Sequence, residues 1–167
     1  MGKGGIKANL DGINKLIRTL NEDCFVRIGI IGSQAKTQHE DTKLTNAEIG
    51  TFHEFGTDNL PRRSFLEDPL REKLNFKNSK FRKATRKEAW KQIVGKGNQR
   101  KFMQYLGQYA LKVIADAFEA GGTPEWQPLT ERYVKQKERK GLSTNILTAT
   151  AQMRKSISFK VMEKAKK

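Results

Sequence analysis

The stretch RKFMQYLGQYALKVIADAFEA, residues 100–120, sets Phe102, Leu106, Tyr109, Ala110, Val113, Ala117 and Phe118 at helical spacing on one broad face, and Gly121-Gly122 stops it. A face that wide needs a cover, which puts this helix at the centre of the core. Two runs have the composition to supply one. FVRIGII at 25–31 is rich in β-branched residues, alternates at its start and is closed by Gly32-Ser33. SISFKV at 156–161 alternates in the same way. The expectation is an α+β fold in which a small mixed or antiparallel β-sheet, containing strands over 25–31 and 156–162, packs against several α-helices. Edges of so small a sheet need covering, by this chain or by a neighbour.

Working outward, Leu10, Ile13, Leu16, Ile17 and Leu20 predict an amphipathic helix over 9–20 with Asn9 as its cap. The polar stretch 33–44 reads as an exposed loop. Thr45 with Glu48 three residues on forms a capping box that opens a helix to about Phe55, and Gly56 ends it. Pro61 keeps Leu60 out of helical geometry, after which Ser64 can cap a helix carrying Phe65, Leu66, Leu70 and Leu74. Helices over about 78–93 and 130–140 are basic, the second ended by Gly141, and Gly95-Lys96-Gly97-Asn98 reads as a break rather than a phosphate loop. A short helical turn over 148–155 precedes the final strand.

With 167 residues the chain suffices for one domain over 1–167, burying roughly two thirds of its unfolded surface. Only 36% of residues are hydrophobic and 31% are charged, so the core is modest and much of the chain faces water or a partner. The net charge of +15 is segregated: residues 71–101 hold 12 basic side chains against 2 acidic, while residues 1–70 sum to −1. A frayed basic tail is expected over 163–167. Such a field attracts nucleic acid or an acidic protein surface, or is a solvated lysine-rich face. No run approaches the ~20 apolar residues of a membrane span, and no export or myristoylation signal opens the chain, so synthesis in a reducing cytoplasm is the expectation.

Candidate chemistry is sparse. His39 and His53 stand apart, without a zinc-binding pattern, and His53-Glu54 lacks the second histidine of a zincin. Cys24, the single cysteine, reads as buried and inert at the head of a strand. Glu48, Glu54, Glu67 and Asp68 read as surface carboxylates, since nothing in their spacing demands a nuclease. No catalytic residue, metal or cofactor is expected.

Packing residues carry more information. Ile49, Phe52 and Phe55 give the 45–55 helix an apolar face, Gly56 reverses the chain, Pro61 stiffens the exit and Phe65 re-enters a core; Trp126, Pro128 and Leu129 dock a loop, and Thr150 can cap the turn carrying Met153. The segments NAEIGTFHEFGT (46–57) with LPRRSFL (60–66), PEWQPLT (124–130) with Lys137 downstream, and ILTATAQMRKSI (146–157) stand in that order along the chain. Together they resemble the signature of the tail-completion and virion-morphogenesis proteins of tailed bacteriophages. Ser64, Ala151 and Met153 depart from that pattern, which has proline, glycine and leucine there, and the basic section 71–101 has no counterpart in it. Ala151 in place of glycine leaves the backbone turn there open.

The resemblance implies a structural virion protein, made in the host cytoplasm, that forms a homo-oligomeric ring at the top of a phage tail or in its neck, next to other neck or tail proteins. A sixfold ring would match a tail tube. Ile49, Phe52, Phe55, Gly56, Pro61, Phe65 and Trp126 are then candidate subunit contacts. Arg82, Lys83, Arg86, Lys87 and Lys91 share one helix face and are candidate contacts to an anionic partner, either an acidic subunit or DNA held non-specifically in a channel. The rival readings are a non-specific nucleic-acid-binding protein and, more weakly, a small nuclease.

Overall fold

In the computed structural model residues 24–39, 42–75, 77–94, 97–148 and 151–163 are described. The helix expected over 9–20, the cap expected at Thr150 and the basic end 164–167 lie outside them. The architecture is α+β: β1 (Cys24–Ile30) and β2 (Ile157–Glu163) pair antiparallel, from Cys24 opposite Glu163 to Ile30 opposite Ile157. Alternation puts Val26, Ile28 and Ile30 on one face with Ile157, Phe159 and Val161, and leaves Phe25, Arg27, Lys160 and Met162 on the other. The final strand carries the chain through Glu163, which the sequence placed at the start of the frayed tail. Cys24 is half-buried at the sheet's end, where the sequence suggested full burial.

The long helix, α5 (Gln99–Ala120), crosses the inner face of this ribbon. Asn98 caps its start by accepting from the Lys101 N–H, and Gly121 closes it in the left-handed region. Its buried line is Gly107, Ala110, Val113, Ile114, Ala117 and Phe118. Gly107 permits the close approach, because a Cβ there would stand 2.2 Å from the Phe159 ring. Around Ile114 and Phe118 gather Phe65, Trp126 and Met153 as the core centre, with Ile28, Ile30, Ile49 and Ile157 against it.

Three further helices, α2 (Asn46–Phe55), α4 (Ser79–Ile93) and α6 (Glu131–Arg139), fall where local signals place them. The helix expected to follow Ser64 directly, α3 (Glu67–Lys73), starts later and leaves Phe65, Leu66 and Leu74 outside it. Two other differences are instructive. The segment expected as a plain loop contains a single helical turn, α1 (Ser33–Lys36), and closes on itself through Asn46 N–H to the Thr37 carbonyl and His39 N–H to the Leu44 carbonyl. Four residues are too few to show a period, which hid the turn. Near the other end, α7 (Gln152–Ser156) starts later than expected because Ala151 is left-handed, with φ 57°.

An alanine in that conformation costs about 1–2 kcal/mol, partly offset because glycine loses more chain entropy on folding. Ala151→Gly is therefore expected to raise stability by about 0.5–1 kcal/mol, read as a higher urea midpoint at unchanged slope. A lower midpoint would show that the Ala151 methyl makes contacts outweighing its backbone strain.

Candidate interaction surfaces

The segment 45–66 is built around α2. Thr45 and Glu48 form the expected reciprocal capping box, with the Thr45 N–H donating to Glu48 Oε2 at 2.8 Å, and these bonds hold the Glu48 carboxyl below its ordinary pKa. The buried line of α2 is not the aromatic one. Asn46, Gly50 and Glu54 face inward, Asn46 donating to the Gln34 carbonyl and Gly50 lying against Ile30 and Phe65. Of the three residues expected to share one apolar face, Phe52 and Phe55 are turned out, 39% and 66% exposed, while Ile49 packs on the core. Close approach and internal hydrogen bonds on the 46/50/54 line outweigh apolar periodicity here.

Glu54 is the second departure. Expected at the surface, it is 5% exposed and accepts four hydrogen bonds. Oε1 takes the Ser64 hydroxyl (2.6 Å) and the Glu67 N–H (2.8 Å); Oε2 takes the Phe65 N–H (2.9 Å) and the Leu66 N–H (3.0 Å). It thus satisfies orphan donors at the start of α3 from another helix. The Ser64 hydroxyl in turn accepts from the Asp68 N–H, so Ser64 caps α3 from three residues outside it. Gly56, at φ 77°, takes a conformation that L side chains rarely adopt, and a Cβ there would be crowded at 3.0 Å from the Arg62 backbone N. At the surface Arg62 holds Asp68 bidentately at 2.6 and 2.9 Å.

Of the seven candidate contact residues, Phe52 and Phe55 are exposed, and Ile49, Gly56 and Pro61 half-buried. Phe65 and Trp126 are core, 1% and 5% exposed, and cannot touch another subunit directly. Trp126 stands edge-on to Phe118 and donates its indole N–H to the Ser64 carbonyl at 3.0 Å, which ties the 124–130 loop to the end of the 45–66 segment. Their burial follows from that bond and from the aromatic cluster, both tertiary.

The basic face lies on α4. Asn78 caps it through Lys80 N–H and Phe81 N–H, Phe81 stacks on Tyr109, and the Tyr105 hydroxyl donates to the Ala84 carbonyl at 2.9 Å. That inner line leaves Arg82, Lys83, Arg86 and Lys87 exposed. Lys91 differs: it is half-buried and bonded to Glu88 at 2.8 Å. At 100° per residue Trp90 falls between Lys83 and Arg86, in the middle of the outward face, and it is 63% exposed. The position of Trp90 opposite Phe81, Thr85 and Gln92 on a helical wheel is the sequence signal of its outward placement.

His53 sits behind Phe52 with its Nδ1 buried and unpartnered. Burial first, then the charges of Arg63 and His39, lower its pKa from 6.5 to about 4. The folded state thus favours the neutral ring, so its contribution to stability is complete above pH 6.5 and is lost as pH falls towards about 4. Up to about 3 kcal/mol should disappear across that window. Urea midpoints between those limits are expected to fall more steeply for the native chain than for His53→Gln, and equal slopes would contradict this. Among the described residues no cluster of three or more His, Cys, Asp or Glu side chains could hold a metal, and no helix is long and apolar enough to cross a membrane. Compared with known proteins, the chain matches no family model, no curated protein and no solved structure.

Proposed function

We propose that this chain is a structural, non-enzymatic virion subunit that completes a phage tail or neck by closing into a homo-oligomeric ring beside other neck or tail proteins. The observation that supports this most is the placement of Phe52 and Phe55. Two aromatics stand on the outer side of a helix whose inner side is fixed by the capping box and by Glu54. Aromatic side chains on preformed surfaces dominate interface energetics, because little ordering is left to be lost on docking. They also lie within the segment that resembles the tail-completion signature. Closed rings use each such patch once, and six copies would fit a tail tube.

The basic face of α4 is best placed away from the next copy, since like-charged surfaces brought together cost several kcal/mol. It then meets an acidic neighbour or DNA in the channel. The rival reading, a nucleic-acid binder, draws on Trp90, because an aromatic within a cationic face is how single strands are held.

Sedimentation of the purified chain, freed of nucleic acid, separates the two. A defined closed oligomer is expected, and Phe52→Ala with Phe55→Ala should leave a monomer whose stability changes by less than about 1 kcal/mol. A native chain that stays monomeric and enlarges only on adding DNA, or a double variant that still closes, would overturn the ring.

A further inference from the structure

Beneath the 45–66 segment lies a cavity of about 440 Å³, bounded by the chain around Pro61, the 127–130 loop and α6. Two cations line it. Arg63 is 6% exposed and Lys137 is 3% exposed, and they come from separate parts of the chain. Arg63 donates its Nε–H to the Gln127 carbonyl at 3.1 Å, and Lys137 donates to the Asn145 carbonyl at 3.2 Å while lying 5.6 Å from the centre of the Tyr133 ring. Among the described residues neither has a carboxylate partner, and none lines the cavity.

That arrangement is costly. Burying one cation without an anion is unfavourable, and a second cation in the same space adds repulsion. Both groups show it: burial lowers the pKa of Arg63, and burial together with the charge of Arg63 lowers that of Lys137. The unpartnered Nδ1 of His53, whose ring also lines the cavity, adds a polar atom without a mate. Elsewhere this chain pairs its arginines readily, as Arg62 with Asp68 shows. The remaining guanidinium N–H groups of Arg63 form a planar fork suited to two acceptor oxygens. The walls decide what carries those oxygens, since Leu60, Pro128 and Leu147 offer apolar surface, which a bare inorganic anion would leave unused.

We infer that this cavity is a binding site for a carboxylate borne on an apolar group, with Arg63 and Lys137 as the recognition pair. The chemistry is shared by a small aryl or alkyl acid and by a polypeptide ending in an apolar residue. It is independent of the ring contact at Phe52 and Phe55, so the two can fail separately.

The test titrates the full chain with 3-phenylpropanoate and with acetyl-Gly-Phe-Leu bearing a free carboxylate, each against its amide, and with inorganic phosphate, following the His53 ring resonances. At least one carboxylate should bind saturably, its amide at least tenfold more weakly. The stronger of the two carboxylates tells a small acid from a chain end. Lys137→Met should weaken carboxylate binding at least tenfold, equivalent to about 1.4 kcal/mol. It should do so without lowering the melting temperature, because Asn145 is an exposed residue whose carbonyl water can reach once the amine is gone. Lys137→Gln should behave alike, which guards against a packing effect of methionine. Equal binding of acid and amide, tighter binding of phosphate, undiminished binding by the folded Lys137 variants, or no saturation up to about 10 mM, beyond the range expected for such small ligands, would each overturn the assignment.

Discussion

Glu54→Ala is expected to lower stability by about 4 kcal/mol or more, from a total that for domains of this kind is about 5–15 kcal/mol. One substitution removes the acceptor for three backbone N–H groups and a hydroxyl, all at 2.6–3.0 Å. Hydrogen bonds to a charged acceptor contribute about 1.5–3 kcal/mol each, and a buried donor left unpaired costs about 1–3 kcal/mol, with sums that do not add fully. Glu54→Gln keeps the shape but turns an NH₂ towards two of the donors, so it should fall between alanine and the native chain. Glu48→Ala is the contrast, an exposed residue whose Thr45 donors water can reach, and a much smaller loss is expected. Urea unfolding checks all three, and a loss below about 1 kcal/mol for Glu54→Ala would mean that water replaces the carboxylate at the start of α3.

Trp126→Ala should cost about 3–5 kcal/mol through the lost burial and the cavity left beside Phe118, with the Ser64 carbonyl stripped of its donor as well. Trp126→Phe keeps an aromatic against Phe118 and loses the N–H, for which about 1–2 kcal/mol is expected. Measured under conditions where the protein is monomeric, these losses separate a core role from a subunit contact. A Trp126→Ala monomer as stable as the native chain, but unable to assemble, would return Trp126 to the interface.

The elements that sequence reading located share one property: their signals lie within a few residues. The Thr45–Glu48 box, Asn78 at the head of α4, and the glycines after α2, α5 and α6 are local, and the boundaries follow them closely. What failed is tertiary. A glutamate in a helix reads as solvated until its donors, 10 to 13 residues on, are folded against it. Apolar spacing sets Ile49, Phe52 and Phe55 on one face and cannot register that Gly50 lies against Ile30, or that Asn46 bonds to the Gln34 carbonyl, so the inward 46/50/54 line was not legible. Arg63 and Lys137 meet only once α6 is docked, so neither drew attention as part of a pair.

Within the described residues β1 and β2 pair only with each other, leaving an outer edge of unpaired backbone on each. Arg27 stands directly opposite Lys160, both exposed, and like charges facing across a ladder weaken the ribbon itself. Two ribbons meeting edge to edge would bring these cations together again, so the pair that weakens one ribbon obstructs templated growth of many. The reach of that obstruction is set by the solvent, about 10 Å at 0.1 M salt and about 3 Å at 1 M. Concentrated salt therefore leaves the apolar packing between α5 and the ribbon in place while weakening the repulsion that opposes edge-to-edge pairing of two such ribbons.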